Sequence, residues 1–130
     1  NMAPRFTERR RLLAQFAHAQ DWAVIHGGQA MPDFFAALGR SKFVLSPPGR
    51  GWDCYRTYEA LAMGAIPIVR RCPPVSDIVE GLPVLMVDDW REVTRAMLES
   101  YVPAPTWNLE RMTQAYWTQR ITEAAACGRG

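Results

Sequence analysis

SKFVLSPPGRGWDCYRTYEALAMGAIPIV, residues 41–69, decides how this chain is read. Phe43-Val44-Leu45 is an apolar run of the kind that forms a buried strand. Pro47-Pro48-Gly49-Arg50-Gly51 then breaks regular structure. From Asp53 to Met63 the pattern is helical, Gly64 ends it, and Ile66-Pro67-Ile68-Val69 begins a second strand. Strand, Gly-rich loop, helix, strand is a βαβ unit. Its loop feeds a helix N-terminus, where free backbone N–H groups favour an anionic ligand.

Upstream of this unit, Thr7 is placed to cap a helix over residues 8 to 19. Leu12, Leu13, Phe16 and Ala17 give that helix an apolar face, and Arg9-Arg10-Arg11 falls on its wet side. Trp22-Ala23-Val24-Ile25-His26 reads as a short strand stopped by Gly27-Gly28. His26, at its carboxyl end, is either a site residue or an ordinary strand-end histidine. Pro32 suits the first turn of a second helix, with Phe34, Phe35 and Leu38 on one side and Gly39 closing it.

Within the central helix, Cys54, Tyr58, Leu61, Ala62 and Ala65 share the face expected to pack on the sheet. Downstream, residues 70–83 are irregular and proline-rich, with a short helix at Ser76–Glu80. Val84-Leu85-Met86-Val87 makes a fourth strand. Asp88 or Asp89 caps a helix with Val93, Met97, Leu98 and Tyr101 on its face. Thr106 can cap a last helix carrying Leu109, Met112, Tyr116 and Ile121. Short strands alternating with helices predict an α/β domain with a mostly parallel sheet of about four strands and helices on both faces. All strand-to-helix loops then share one edge, and ligands bind beyond the carboxyl ends of the strands.

A chain of 130 residues is the size of one domain. The hydrophobic fraction of 48% and charged fraction of 22% are ordinary for a globular protein. A net charge of +2 is too small to argue for nucleic acid, and the Arg9–Arg11 and Arg70-Arg71 runs read as solvated surface. No apolar run approaches the roughly 18–20 residues needed to span a bilayer, and no membrane contact is expected from this segment. Three cysteines form neither a disulfide framework nor a zinc-ligand spacing, and His18 and His26 complete no metal site. Cys54 lacks the arginine six positions later that a phosphatase loop requires, since position 60 is Ala.

The chemistry centres on the loop. Gly49 and Gly51 admit backbone conformations closed to other residues and a close ligand approach. The helix start offers partial positive charge, and Arg56 adds a full charge with a two-pronged donor set, which together suit a diphosphate. Glu59, a turn further on, can accept hydrogen bonds from two neighbouring ribose hydroxyls. GRG before a helix matches neither the dinucleotide fingerprint nor the P-loop. The plain alternative is a structural turn with Arg56 and Glu59 as a surface ion pair. Trp52 is placed to stack on a base or sugar, or to cover the helix start.

Glu59-Ala60-Leu61-Ala62-Met63-Gly64-Ala65-Ile66-Pro67-Ile68-Val69 resembles the E-A-x-x-x-G-x-I/V-P-I/V-V signature of GT-B glycosyltransferase donor domains. Residues 41–69 as a whole are similar to the exostosin-like (family 47) branch, with its R-x-x-E-A helix after a Gly-bearing loop. A looser match in element order runs from Trp22 to Asp88. The resemblance implies that Glu59 holds the ribose of a nucleotide-sugar, possibly UDP-linked. It also implies that Gly49, Arg50, Gly51 and Arg56 face the diphosphate, with Ser46 and Asp53 beside the donor. Many retaining GT-B enzymes carry a second glutamate eight positions before the ribose-binding one, where this chain has Gly51. The resemblance therefore points to an inverting, metal-independent enzyme with no cofactor beyond its substrate.

GT-B enzymes have two Rossmann-like halves, and about six strands make a full one. This chain has room for part of the C-terminal half. The expectation is a donor-binding fragment without its N-terminal acceptor-binding partner domain, inactive alone and able to self-associate through its C-terminal aromatic face. The resemblance implies the Golgi lumen for a eukaryotic enzyme and the cytoplasm for a bacterial one. The competing readings are a non-catalytic Rossmann-like scaffold and an unrelated nucleotide-binding domain.

Overall fold

The computed structural model describes residues 4–19, 21–24, 28, 30–103 and 109–128. Three parallel strands form its sheet in the order β1 (Phe43–Leu45), β2 (Ile66–Arg70), β3 (Leu85–Val87). Between them run α3 (Tyr55–Ala62) after β1 and α4 (Pro73–Val79) after β2. Before β1 come α1 (Pro4–Phe16) and α2 (Met31–Arg40). After β3 come a 3₁₀ turn (Trp90–Glu92), α5 (Arg95–Ser100), a second 3₁₀ turn (Leu109–Met112) and α6 (Gln114–Cys127). The architecture is α/β and Rossmann-like, a partial domain built on a small open sheet.

Strand alternation explains the layers. Phe43, Leu45, Ile68, Leu85 and Val87 meet α1, the first 3₁₀ turn and α5 in one core with Leu12, Phe16, Trp90 and Val93. Val84 and Met86 meet α3 and α4 on the opposite face, with Leu61, Val75, Val79 and Leu82. Ile68 is 1% exposed, at the centre of the sheet. Each full burial of such a side chain is worth roughly 1.5–3 kcal/mol. Among the described residues no helix is long and apolar enough to cross a membrane.

Several local expectations shift, each for a physical reason. α1 begins at Pro4 rather than after Thr7, because proline at a first helical position has its φ already set and lacks only an orphan N–H. Arg9 lies on the same face as Leu12 and Phe16 and is half-buried, not part of a solvated run. Trp22–Val24 is not strand. Trp22 and Ala23 donate their N–H groups to Ala19 O (3.1 and 2.8 Å), and the Trp22 ring meets Phe16 edge-on at 5.6 Å. The rest of that expected strand, Ile25 and His26, lies outside the described residues, which hold three strands where about four were expected.

Gly39 does not close α2. The helix continues to Arg40 and ends at Ser41, whose Oγ donates to Ala37 O at 2.8 Å. A Cβ on Gly39 would meet Met63 Cε at 3.3 Å, so the glycine serves the close approach of α2 to α3.

α3 buries Thr57, Ala60 and Leu61, while Cys54 precedes it as the cap and Ala62 is exposed. A threonine points inward because its hydroxyl has a buried partner, and Ala60, at 0% exposure, lets the helix sit close on β2. Gly64 ends this segment with φ +80°, a conformation other residues resist.

α4 starts at Pro73, earlier than the expected Ser76 and again with proline in its first turn. The helix expected after Asp89 is split. Asp89 and Glu92 form a capping box on the 3₁₀ turn, and Thr94 caps α5 afresh. Thr106 lies outside the described residues, and Thr113 caps α6. Tyr116 and Trp117 close on the Arg111 guanidinium at 5.2 and 5.6 Å, leaving Ile121 68% exposed.

Candidate functional site

Because the sheet is parallel, the carboxyl ends of β1, β2 and β3 share one edge. The loop from Ser46 to Cys54, Arg70 at the end of β2, and Asp88-Asp89 all lie there. The early turns of α1 reach across the same edge. Arg9 Nε donates to Pro48 O at 3.1 Å. Glu8 receives Arg70 Nε at 2.7 Å, Arg70 Nη2 at 3.3 Å and Trp90 Nε1 at 2.7 Å.

Ser46 is buried, and its hydroxyl shares a 2.8 Å hydrogen bond with Thr57 Oγ1. Its N–H donates to Ile68 O at 2.9 Å, so the residue ties the end of β1 to β2 and α3. Gly49 N–H donates to Gly51 O at 3.1 Å, closing the loop on itself. Neither glycine has a positive φ, which corrects the expectation of an unusual backbone there. A Cβ on Gly49 would meet Arg9 Nη2 at 3.3 Å, so the loop backbone lies close against the Arg9 guanidinium. Gly51 has only ordinary contacts, the nearest being Asp53 O at 3.6 Å. Arg50 is exposed.

Trp52 rests on Arg70, with the guanidinium carbon 5.3 Å from the ring centroid. Asp53 Oδ1 accepts from Cys54 N at 3.0 Å, and Tyr58 Oη donates to both carboxylate oxygens at 3.0 and 3.1 Å. Burial first, then the charge and hydrogen bond of Asp53, hold the Tyr58 phenol protonated well above the ordinary tyrosine range. Asp53 is thus already engaged within its own helix start.

Arg56 and Glu59 differ from these residues. Both sit half-buried on α3, three positions apart, yet they form no ion pair with each other. Neither side chain has a hydrogen-bond partner among the described residues. Arg56 and Pro47 line one end of a cleft of about 670 Å³ that runs beside β1 between α1 and α2. Among the predicted site residues, Arg56 alone is in its lining. The sequence reading missed Arg9, which also lines the cleft. The signal was available, because residues 9, 12 and 16 fall on one helical face.

Comparison with known proteins adds two findings. A family model described as the RXYLT1 C-terminal domain matches residues 7–122. Ribitol-5-phosphate xylosyltransferase 1 of zebrafish (Danio rerio) is 29% identical over 89 aligned residues, covering 58% of this chain and 20% of that protein. The match therefore spans about a fifth of that relative's length.

Proposed function

The chain belongs to the RXYLT1 C-terminal domain family, and from that membership we propose that it is the donor-binding part of an inverting, exostosin-like GT-B glycosyltransferase. The observation that carries the reading is the state of Arg56 and Glu59. The plain alternative of a structural turn would pair them; instead both are half-buried on the helix that follows the β1 loop, three positions apart, with no ion pair among the described residues. A half-buried charge without a protein partner is left to water or to a ligand.

Each residue then has a role. Arg56 offsets the charge of the nucleoside diphosphate as it leaves, and the Gly49–Gly51 loop lets the phosphates approach the backbone. Glu59 accepts from the ribose hydroxyls. In the reaction, an acceptor hydroxyl oxygen bonds to the anomeric carbon while the bond from that carbon to the diphosphate oxygen breaks. The acceptor proton passes to a base on the acceptor side. The arginines and the helix start supply the positive charge that the leaving diphosphate needs, so the chemistry calls for no metal.

The described lining of the cleft holds no carboxylate or histidine to act as that base. The base and acceptor site are accordingly assigned to a separate N-terminal domain. On its own, the 130-residue chain binds nucleotide weakly and transfers no sugar. Because the zebrafish relative is by its name a xylosyltransferase, a xylose-bearing donor is the first to try.

The test is a thermal-shift series with UDP, GDP and their sugars, including UDP-xylose, on the wild type and Glu59→Ala. A rise in melting temperature that disappears in Glu59→Ala supports the reading. A rise that survives the substitution unchanged removes Glu59 from the site, and detectable transfer by this chain alone refutes the fragment's inactivity.

A further inference from the structure

The cleft beside β1 has an unusual charge pattern. Its described lining includes four cationic side chains, Arg9, Arg40, Lys42 and Arg56, and no carboxylate. The ion pairs among the described residues are all made by other arginines: Arg70, Arg71, Arg91 and Arg95. Lys42 stands just before β1 and Arg40 ends α2, so these two lie toward the amino end of the strand. Arg9 and Arg56 lie at the carboxyl end, with Pro47 and the loop.

Arg9 is held there by design of the loop. Its Nε is spent on Pro48 O at 3.1 Å. The planar guanidinium leaves its terminal nitrogens free for another acceptor, in a direction fixed by that first bond. Nη2 occupies the place beside Gly49 that a Cβ would crowd at 3.3 Å. Two cations in a cleft walled mainly by apolar side chains, with no carboxylate in its described lining, favour an anion that can take paired N–H donors.

We propose that Arg9 and Arg56 form a two-guanidinium clamp for a diphosphate at the carboxyl end of β1. On the donor-binding reading, the anion is the diphosphate of the nucleotide-sugar. Arg9 is then a ligand-binding residue contributed by α1, sequence-distant from the loop it serves.

The probe is inorganic pyrophosphate, titrated against the whole chain and followed by phosphorus NMR. Wild type binds it, and Arg9→Gln and Arg56→Gln each weaken binding about tenfold or more, as expected for loss of a charge-assisted bond. Arg9→Lys keeps the charge but loses the fork, and weakens binding several-fold. The exposed neighbour Arg10→Gln changes nothing.

Wild-type affinity in folded Arg9→Gln, or in Arg9→Lys should Arg9→Gln fail to fold, reduces Arg9 to a loop strut and overturns the clamp. So does a wild type that binds no pyrophosphate. An Arg9-dependent pyrophosphate site combined with UDP binding indifferent to Glu59 upholds the clamp while refuting the donor reading.

Discussion

The ends of β1 and β2 look alike in sequence and differ in kind. Each strand runs into a segment with arginine nearby, and α1 crosses both. At the end of β2, Arg70 is committed: Glu8 holds it through two hydrogen bonds, Trp52 lies on it, and the same Glu8 accepts from buried Trp90. At the end of β1, Arg9 and Arg56 line a cleft whose described lining has no carboxylate, and Glu59, on the helix of Arg56, has no ion-pair partner among the described residues. The β2 end is a finished structural joint. The β1 end holds the same kind of side chain with no carboxylate in the described lining of the cleft, and on the proposed reading that is the difference between a ligand site and a brace.

The comparison breaks most visibly at Glu8. Glu8→Ala leaves the Arg70 guanidinium, whose side chain is 32% exposed, without its partner and removes the acceptor of the Trp90 N–H. The expected cost is about 2–3 kcal/mol in urea denaturation, from one charge-assisted pair and one orphaned donor in a partly buried setting. A loss of under about 0.5 kcal/mol, the usual effect of a surface change, would mean that the β2 joint is no firmer than the β1 end.

A smaller effect sharpens the contrast inside the β1 end itself, where Asp53 is committed and Arg56 is not. Tyr58→Phe removes both contacts to Asp53 and costs about 1 kcal/mol near neutrality. The folded-state phenol titrates above its unfolded value, so this contribution is complete below the ordinary tyrosine range. It fades as pH rises beyond that range. Ultraviolet titration should show Tyr58 ionising well above the ordinary tyrosine range. Uniform ionisation near pH 10, the unperturbed value, would dissolve the Asp53–Tyr58 link.

Much of the fold was legible in the sequence because its evidence is local. Phe43–Leu45 and Ile66–Val69 are apolar on consecutive positions, as strands covered on both faces must be. Gly64 stood where a left-handed residue was needed. Arg56 and Glu59 were legible as a pair at helical spacing. Trp22–Val24 misled because an apolar run says that residues are covered, not which backbone receives their N–H groups, and here Ala19 receives two. The bonds from Arg9 to Pro48, Arg70 to Glu8 and Trp90 to Glu8 span 39, 62 and 82 positions, and no short-range pattern encodes them. They follow from where α1 lands on the finished sheet.

The most direct test of the central claim is a titration of the isotopically labelled chain with UDP, followed by backbone amide NMR. The account predicts shifts at residues 49–59 and at Arg9, with the first 3₁₀ turn and α6 unmoved. The same titration of Glu59→Ala should show markedly weaker shifts at these positions. Shifts gathered instead around Arg70 and Trp90, or on α6, would contradict the assignment of the β1 end as the donor site.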